Sequence, residues 1–145
     1  MVALTKGRTT PRLDGDLREG AVAANATLFT GAILMRNSSG YIFDGRVGTG
    51  AVGVGVCLAD VDNTGGSAGD VTVVFRQGTY SFANSAGADE ITAVHIGSVA
   101  YAVDDQTVAR TNGSNTRSPA GVIEGVDARG VWVRFDEALT QAASA

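Results

Sequence analysis

The sequence predicts an all-β protein: a compact barrel-like or sandwich-like domain with one short helix, built from two diverged copies of one β unit. Two segments, 71–75 and 131–135, both read V-x-V-x-F, and this period-two alternation is typical of a strand with one buried face. Glycine supplies 20 of the 145 residues, which favours tight turns over long helices. We therefore expect the two Val and the Phe of each segment to point into a core.

The similarity between the two halves extends upstream of these strands. In each half, two strand-like segments are followed by a small-residue segment, a Val-Asp pair and the V-x-V-x-F strand. This order predicts copies at about 21–75 and 79–135 within a β domain of residues 21–135. Chance similarity among strands rich in Gly, Val and Ala is the alternative. The corresponding segments are Gly31–Met35 and Gly97–Tyr101, Tyr41–Phe43 and Gln106–Val108, Ala51–Val54 and Ala120–Ile123, and Val61–Asp62 and Val126–Asp127.

Residues 1–20 are predicted to form an extended N-terminal arm. Gly7, Pro11 and other turn residues interrupt any helix or long strand there. Lys6, Arg8 and Arg12 are basic and no acid occurs among the first twelve residues, whereas the whole chain has a net charge of −4. The arm is therefore either a frayed terminus or a basic, partly apolar segment that becomes ordered on an acidic partner.

The remaining elements are mostly short strands. Arg76–Tyr80 has the composition of a hairpin turn. Asp89–Val94 is the best helix candidate, because acids occupy its first turn and Gly97 lies just past its end. The Ala-rich segment 136–145 is predicted to be a frayed helix or a disordered tail. Strands are predicted near 21–24, 31–36, 40–43, 51–58, 70–76, 79–83, 98–103, 106–110, 120–124 and 131–135.

Composition argues against several classes of function. A net charge of −4 is unfavourable for nucleic acid as the main partner, since phosphate binding needs a basic face. Cys57 is the single cysteine, so neither an internal disulfide nor a cysteine-based zinc site is expected. The sequence shows no signal peptide and no long apolar run, so we expect synthesis in the cytoplasm and no membrane partner.

Gly48–Gly53 matches the pattern G-x-G-x-x-G of dinucleotide-binding loops. That motif binds pyrophosphate only where a strand leads through it into a helix. Here the residues that follow, Val54–Cys57, alternate like a strand. Glycines that let a strand pack closely on its neighbour are the better explanation.

Other residues that could carry chemistry lack suitable companions. Asp60–Gly65 resembles the start of a calcium loop, but valine stands where the loop's terminal Glu belongs, so a turn is the simpler interpretation. His95 is the only histidine, Cys57 lies within an apolar strand pattern, and Asp104–Asp105 occupies a predicted solvent-facing turn. We predict no catalytic, cofactor-binding or metal-binding residues, and no enzyme activity.

Trp132 is the most informative side chain of the closing strand. Alternation places it on the outward face, where tryptophan is a candidate anchor for an interface. The alternative is that both faces of this strand are covered.

Several segments together resemble one group of viral structural proteins, the capsid decoration (cement) proteins of tailed phages and prophages, encoded beside the major capsid protein. The resemblance covers about residues 2–135 and carries no active site. The segments are Val61–Gly66, Phe82–Asp89, Val103–Ala109, Ala120–Ile123 and Gly130–Val133.

The resemblance implies a compact β domain that assembles as homotrimers on the outer capsid surface. It implies the major capsid protein as partner, with a terminal arm laid over neighbouring subunits. Leu4, Lys6, Arg8 and Arg12 then become the candidate capsid-contact residues. A tail or head–tail joining protein is the nearest alternative. A carbohydrate-binding module is third, since it needs an aromatic platform and only Trp132, Tyr41, Tyr80 and Tyr101 could build one.

Overall fold

A computed structural model describes residues 2–145; Met1, the first residue of the predicted arm, lies outside this range. The fold is all-β with a single α-helix, which confirms the predicted fold class. The strands are β1 (Leu17–Ala21), β2 (Thr27–Leu28), β3 (Ile33–Arg36), β4 (Ile42–Asp44), β5 (Val52–Cys57), β6 (Val61–Asp62), β7 (Thr72–Arg76), β8 (Gly78–Asn84), β9 (Val99–Ala102), β10 (Thr107–Ala109), β11 (Pro119–Asp127) and β12 (Gly130–Phe135), and the helix is α1 (Glu137–Ser144).

The first half forms a five-stranded antiparallel sheet in the order β1-β7-β5-β3-β4. Its central strand, β5, is buried at every position. The alternation predicted for β7 is confirmed, because Val73 and Phe75 are buried while Thr72 and Val74 are exposed. Strands β2 and β6, which the sequence did not reveal, pair with each other as a small separate sheet.

The second half closes into a five-stranded barrel. Its strands run β8-β12-β11-β9-β10, and a short parallel pairing of β10 with β8 closes the ring. In β12, Val131, Val133 and Phe135 are buried as predicted. The Phe135 ring packs edge-on against Phe82, with the ring centroids 5.7 Å apart.

The two halves share one strand order. In each, the V-x-V-x-F strand (β7 or β12) lies between the first strand and the small-residue strand (β5 or β11). In the first half, a single parallel bridge from Val22 to Ile42 replaces the pairing that closes the barrel. The equivalent connectivity supports the interpretation of two copies of one β unit.

Close backbone approaches join the sheet to the barrel. Gly53 of β5 faces Ala120 of β11, where a Cβ would be 1.8 Å from the Ala120 carbonyl oxygen. The buried Ser118 hydroxyl donates to the carbonyl of Gly48 at 2.7 Å and accepts from the N–H of Ala51 at 3.1 Å. One apolar core runs through this junction, since buried residues of β3 and β5 cluster with those of the barrel.

Two predicted features of the chain path differ from the structure. The arm ends at residue 16, because residues 17–20 belong to β1, which pairs with β7. The predicted hairpin at Arg76–Tyr80 is wrong: β7 pairs with β1 and β5, whereas β8 pairs with β12 and β10. Gln77 instead carries the chain from the sheet to the barrel, and Gly78 permits the change of direction with a φ of 121°.

The helix predicted at Asp89–Val94 is also wrong. This region contains two short 3-10 turns, at Gly87–Asp89 and Ala93–His95. Between them, the Asn84 side chain donates to the carbonyl of Ile91 at 2.8 Å and accepts from its N–H at 2.9 Å. Because these bonds occupy the backbone groups of Ile91 and its side chain is buried, the segment does not form a continuous helix.

The segment 136–145 is a docked helix rather than a disordered tail. The Asp136 carboxylate caps α1 by accepting from the N–H of Leu139 at 3.0 Å, which satisfies a backbone group that helix starts leave unpaired. Glu137 forms an ion pair with Arg36 of β3 at 2.9 Å. Thr140 is fully buried, and α1 contacts β5, β9 and β11.

Candidate functional site

The arm, residues 2–16, is exposed along its length and contains no helix or strand. Three of the predicted contact residues, Leu4, Lys6 and Arg8, are exposed, and Leu4 is 69% exposed. Arg12 forms an ion pair with Asp14 at 2.7 Å; both side chains are exposed, so the pair contributes little stability. Among the described residues, Lys6 and Arg8 form no ion pair.

An apolar groove lies where the arm joins the sheet, and the sequence did not reveal it. Leu13 and Leu17 are 74% and 47% exposed, and Val74 of β7 lies beside them at 37%. The one sequence feature that could have indicated this groove is the outward position of an apolar residue, Val74, in V-x-V-x-F. We call this feature, of about 410 Å³, the arm-base groove; its lining consists of Leu13, Leu17, Arg18, Glu19 and Val74.

Glu19 forms the acidic rim of the arm-base groove. It lies directly opposite Val74 in the β1–β7 ladder, so the two side chains share one face of the sheet. Its Oε1 accepts from the Thr72 hydroxyl at 2.7 Å. The exposed carboxylate therefore has a fixed position and a second oxygen available to a basic partner.

Trp132 is half-buried, in keeping with its outward position between the buried Val131 and Val133. Its indole Nε1–H donates to Oδ2 of Asp127 at 2.7 Å, and the ring lies over Gly125, whose missing side chain leaves room for it. This hydrogen bond, with a second from the Arg129 N–H, lowers the pKa of Asp127. The predicted interface anchor is thus held in one orientation before any partner binds.

The predicted solvent-facing turn at Asp104–Asp105 instead docks on the first sheet. The Asp105 carbonyl accepts from the N–H of Ile33 at 2.8 Å, and Gly45 admits the turn, since a Cβ there would be 2.7 Å from the Asp104 carbonyl oxygen. Burial and the neighbouring carboxylates of Asp44 and Asp104 raise the pKa of Asp105. The raised pKa of Asp105 could not be expected from the sequence, because Asp44 is distant along the chain.

The glycine-rich segment packs as the sequence indicated. Gly48–Gly53 leads into strand β5 and not into a helix, so it lacks the helix N-terminus that holds a pyrophosphate. Gly53 faces the backbone of Ala120, and Gly55 faces that of Arg76. The motif therefore serves close packing of β5.

The Asp60–Gly65 segment is a turn cluster whose carboxylates are already bonded. Asp60 accepts from the N–H and hydroxyl of Thr30, and Asp62 accepts from those of Thr64. These bonds lower the pKa of both carboxyl groups. Within residues 2–145, no group of three or more His, Cys, Asp or Glu side chains is arranged to hold a metal ion.

His95 and Cys57 have local structural roles. Nδ1 of His95 accepts from the Thr92 N–H at 2.9 Å and so completes a 3-10 turn. Cys57 is buried and its Sγ donates to the carbonyl of Ala59 at 3.1 Å. Burial raises the pKa of the thiol, which keeps it protonated and unreactive.

Comparison with known proteins adds no relative. No protein-family model matches this chain, and no curated protein or solved structure matches it. In the part of the chain that the structure describes, no helix is long and apolar enough to cross a membrane.

Proposed function

We propose that this protein is a capsid decoration protein of a tailed phage or prophage, which binds the outer surface of the head and stabilises contacts between major capsid protein subunits. The observation that carries the proposal is the exposed arm, in which Leu4, Lys6 and Arg8 are all exposed. The proposed partners are the major capsid protein and further copies of this chain, in homotrimers. The proposed location is the outer surface of the virion, after synthesis in the host cytoplasm.

Charge distribution supports this role. All charged side chains among the first twelve residues are basic, within a chain of net charge −4. An acidic shell surface would therefore attract the arm, while packaged DNA would repel the body. The arm can then become ordered on the shell at the moment of binding.

The shape of the body also supports a structural role. A stabiliser must hold together subunits that internal pressure pushes apart, and many shallow contacts achieve this because linked sites raise avidity without a deep pocket. The oriented Trp132 and the arm-base groove offer such shallow contacts on the body, beside those of the arm.

The first test is the copy number of this protein in purified particles, measured against the major shell protein by gel densitometry or mass spectrometry. We expect comparable copy numbers for the two proteins. A small fraction would favour a tail or head–tail joining part instead. Complete absence from particles would overturn any virion role.

The second test is deletion of residues 2–12. Because this segment is exposed and belongs to no helix or strand, we expect the deleted protein to keep the circular dichroism spectrum of the folded body but to be lost from shells on washing. A matched control carries Gln141→Ala, on the exposed face of α1, and should bind as the unaltered protein does. Undiminished retention of the deleted form on shells would contradict the role of the arm.

A further inference from the structure

β1 has one open edge, next to the arm-base groove. It pairs with β7 on one side, and on the other side the one pairing among the described residues is the bridge from Val22, just past the end of β1, to Ile42. The bonds from the Val22 N–H to the Val71 carbonyl and from the Gln77 N–H to the Asp16 carbonyl place the even-numbered residues of β1 toward β7. Residues 17 and 19 therefore point their backbone groups to the open side.

This edge is a template for a further strand. The Arg18 guanidinium donates to the Leu17 carbonyl at 2.8 Å, whereas the backbone N–H and C=O of Glu19 point to the open edge of β1. An open edge with apolar side chains beside it favours the addition of an extended segment, because main-chain hydrogen bonds and side-chain burial then act together. To match this edge, the added segment needs an apolar residue beside Leu17 and a basic residue beside Glu19.

The arm itself carries that pattern. Val2, Leu4, Lys6 and Arg8 alternate at period two, so an extended strand presents them on one face. In parallel pairing with Leu4 beside Leu17, Lys6 comes beside Glu19. The apolar start of the arm then covers the arm-base groove, and the ammonium group meets the free oxygen of the Glu19 carboxylate.

Chain connectivity favours a matching arm from another copy. In one chain, residues 7–16 would have to connect the two parallel strands, and these ten residues are fewer than the dozen or more that such a crossover needs. Fully extended, the same ten residues span about 35 Å, whereas a chain of this length has a radius of gyration of about 15 Å. The arm is therefore long enough to reach the groove of a neighbour.

We infer that the arm of one molecule docks on the β1 edge of a second copy, with Leu4 in the arm-base groove and Lys6 paired with Glu19. The contact joins two different surfaces, so successive copies form a closed ring, such as a trimer, or a chain. This inference does not depend on a capsid role, because both partners are copies of this protein and the test uses no shells.

The experiment exploits the fact that Lys6 is the only lysine. Full-length unlabelled and ¹⁵N-labelled protein are mixed in equal amounts, unfolded in urea and refolded together so that the copies associate at random. The mixture is then treated with a zero-length carbodiimide cross-linker, digested and analysed by mass spectrometry. We expect a Lys6–Glu19 cross-link of which about half joins a light peptide to a heavy one, as random pairing between copies requires. Cross-links within one isotope only would show that the arm folds back on its own β1, and absence of a Lys6–Glu19 cross-link would also overturn the inference.

Matched variants separate the contact from unspecific cross-linking. Lys6→Arg keeps the charge but removes the amine, and Glu19→Gln removes the carboxylate; each should abolish this cross-link. Leu4→Ser should lower its yield about tenfold, since burial of a leucine contributes roughly 1.5 kcal/mol. Val94→Ser, at an 84% exposed position on the barrel, should leave the yield unchanged. An equal loss in Leu4→Ser and Val94→Ser would contradict docking in the groove.

Discussion

Gly53 and Ala120 are in direct backbone contact between the sheet and the barrel. A Cβ at residue 53 would lie 1.8 Å from the Ala120 carbonyl oxygen and 2.8 Å from its Cα. The obstructing atoms belong to the main chain of β11, which is fixed by pairing with β9 and β12. No rotamer change can relieve such a clash, so the junction depends on glycine at this position.

Gly53→Ala should lower the free energy of unfolding by about 3 kcal/mol, because an added methyl group must displace β11. The measurement is urea unfolding followed by circular dichroism. Gly48→Ala is the matched control within the same motif: nothing lies within 4 Å of its Cβ position and its φ is not positive, so we expect a change within about 0.5 kcal/mol. Equal effects of the two substitutions would contradict the packing role of Gly53.

Ionisation of the Asp105 carboxyl group should make the protein less stable as the pH rises through the pKa that this group has in the folded state. Burial and the charges of Asp44 and Asp104 raise that pKa above the ordinary value of 3.8. The folded state therefore holds this proton more tightly than the unfolded chain does. The protonated carboxyl group makes its full contribution to the free energy of unfolding below pH 3.8, and this contribution is lost as the pH rises through the raised pKa.

Asp105→Asn, which cannot ionise, should be more stable than the unaltered protein at pH 7 and should vary less between about pH 4 and 7. Urea unfolding across this range provides the measurement. Asp14→Asn in the exposed arm serves as the control and should keep the original pH profile. If Asp105→Asn retained that profile as well, the docked turn would not be its source.

Much of the fold could be predicted because alternation is a local property. The V-x-V-x-F segments each contain the side chains that mark their buried face, and Val73, Phe75, Val131, Val133 and Phe135 are buried as expected. Pairing partners are not local. Arg76–Tyr80 has the composition of a hairpin, yet its flanking strands pair elsewhere, since turn residues permit a change of direction without fixing which strands meet.

The features of the candidate site were harder to predict because they arise between distant segments. Leu13 and Val74 come together only through the β1–β7 ladder, and Asp44 meets Asp105 only through docking of one β unit on the other. The prediction of a helix at Asp89–Val94 was wrong for a similar reason, because the Asn84 side chain forms hydrogen bonds with the backbone N–H and carbonyl of Ile91. By contrast, the arm could be recognised from its own composition.

Asp136→Ala should destabilise the protein by about 1 kcal/mol, the usual effect of losing a helix N-cap, because the carboxylate accepts the N–H of Leu139 at 3.0 Å. Thermal unfolding measures the effect. Asp136→Ser, which retains a capping oxygen, should recover most of the loss, and Gln141→Ala on the exposed face of α1 should change little. No loss in Asp136→Ala would contradict a docked helix.

Trp132→Phe should raise the pKa of Asp127 toward its ordinary value, because the indole N–H is the largest cause that lowers it and phenylalanine has no donor. NMR titration of the side-chain carboxyl groups measures the shift. Asp62 provides an internal control in the same titration, since its pKa is lowered chiefly by Thr64 and should not move. An unchanged Asp127 would mean that the indole is not held as the structure shows.

Replacing Lys6, Arg8 and Arg12 together with Ser should weaken binding to shells and reduce its dependence on salt. Three exposed cations attract an acidic surface through screened charge, so their contribution falls as ionic strength rises. Retention on shells is measured at low and high salt. The control triple Arg110, Arg129 and Arg134 to Ser removes as many exposed cations from the barrel. Equal losses from both triples would show that net charge, and not the arm, governs binding.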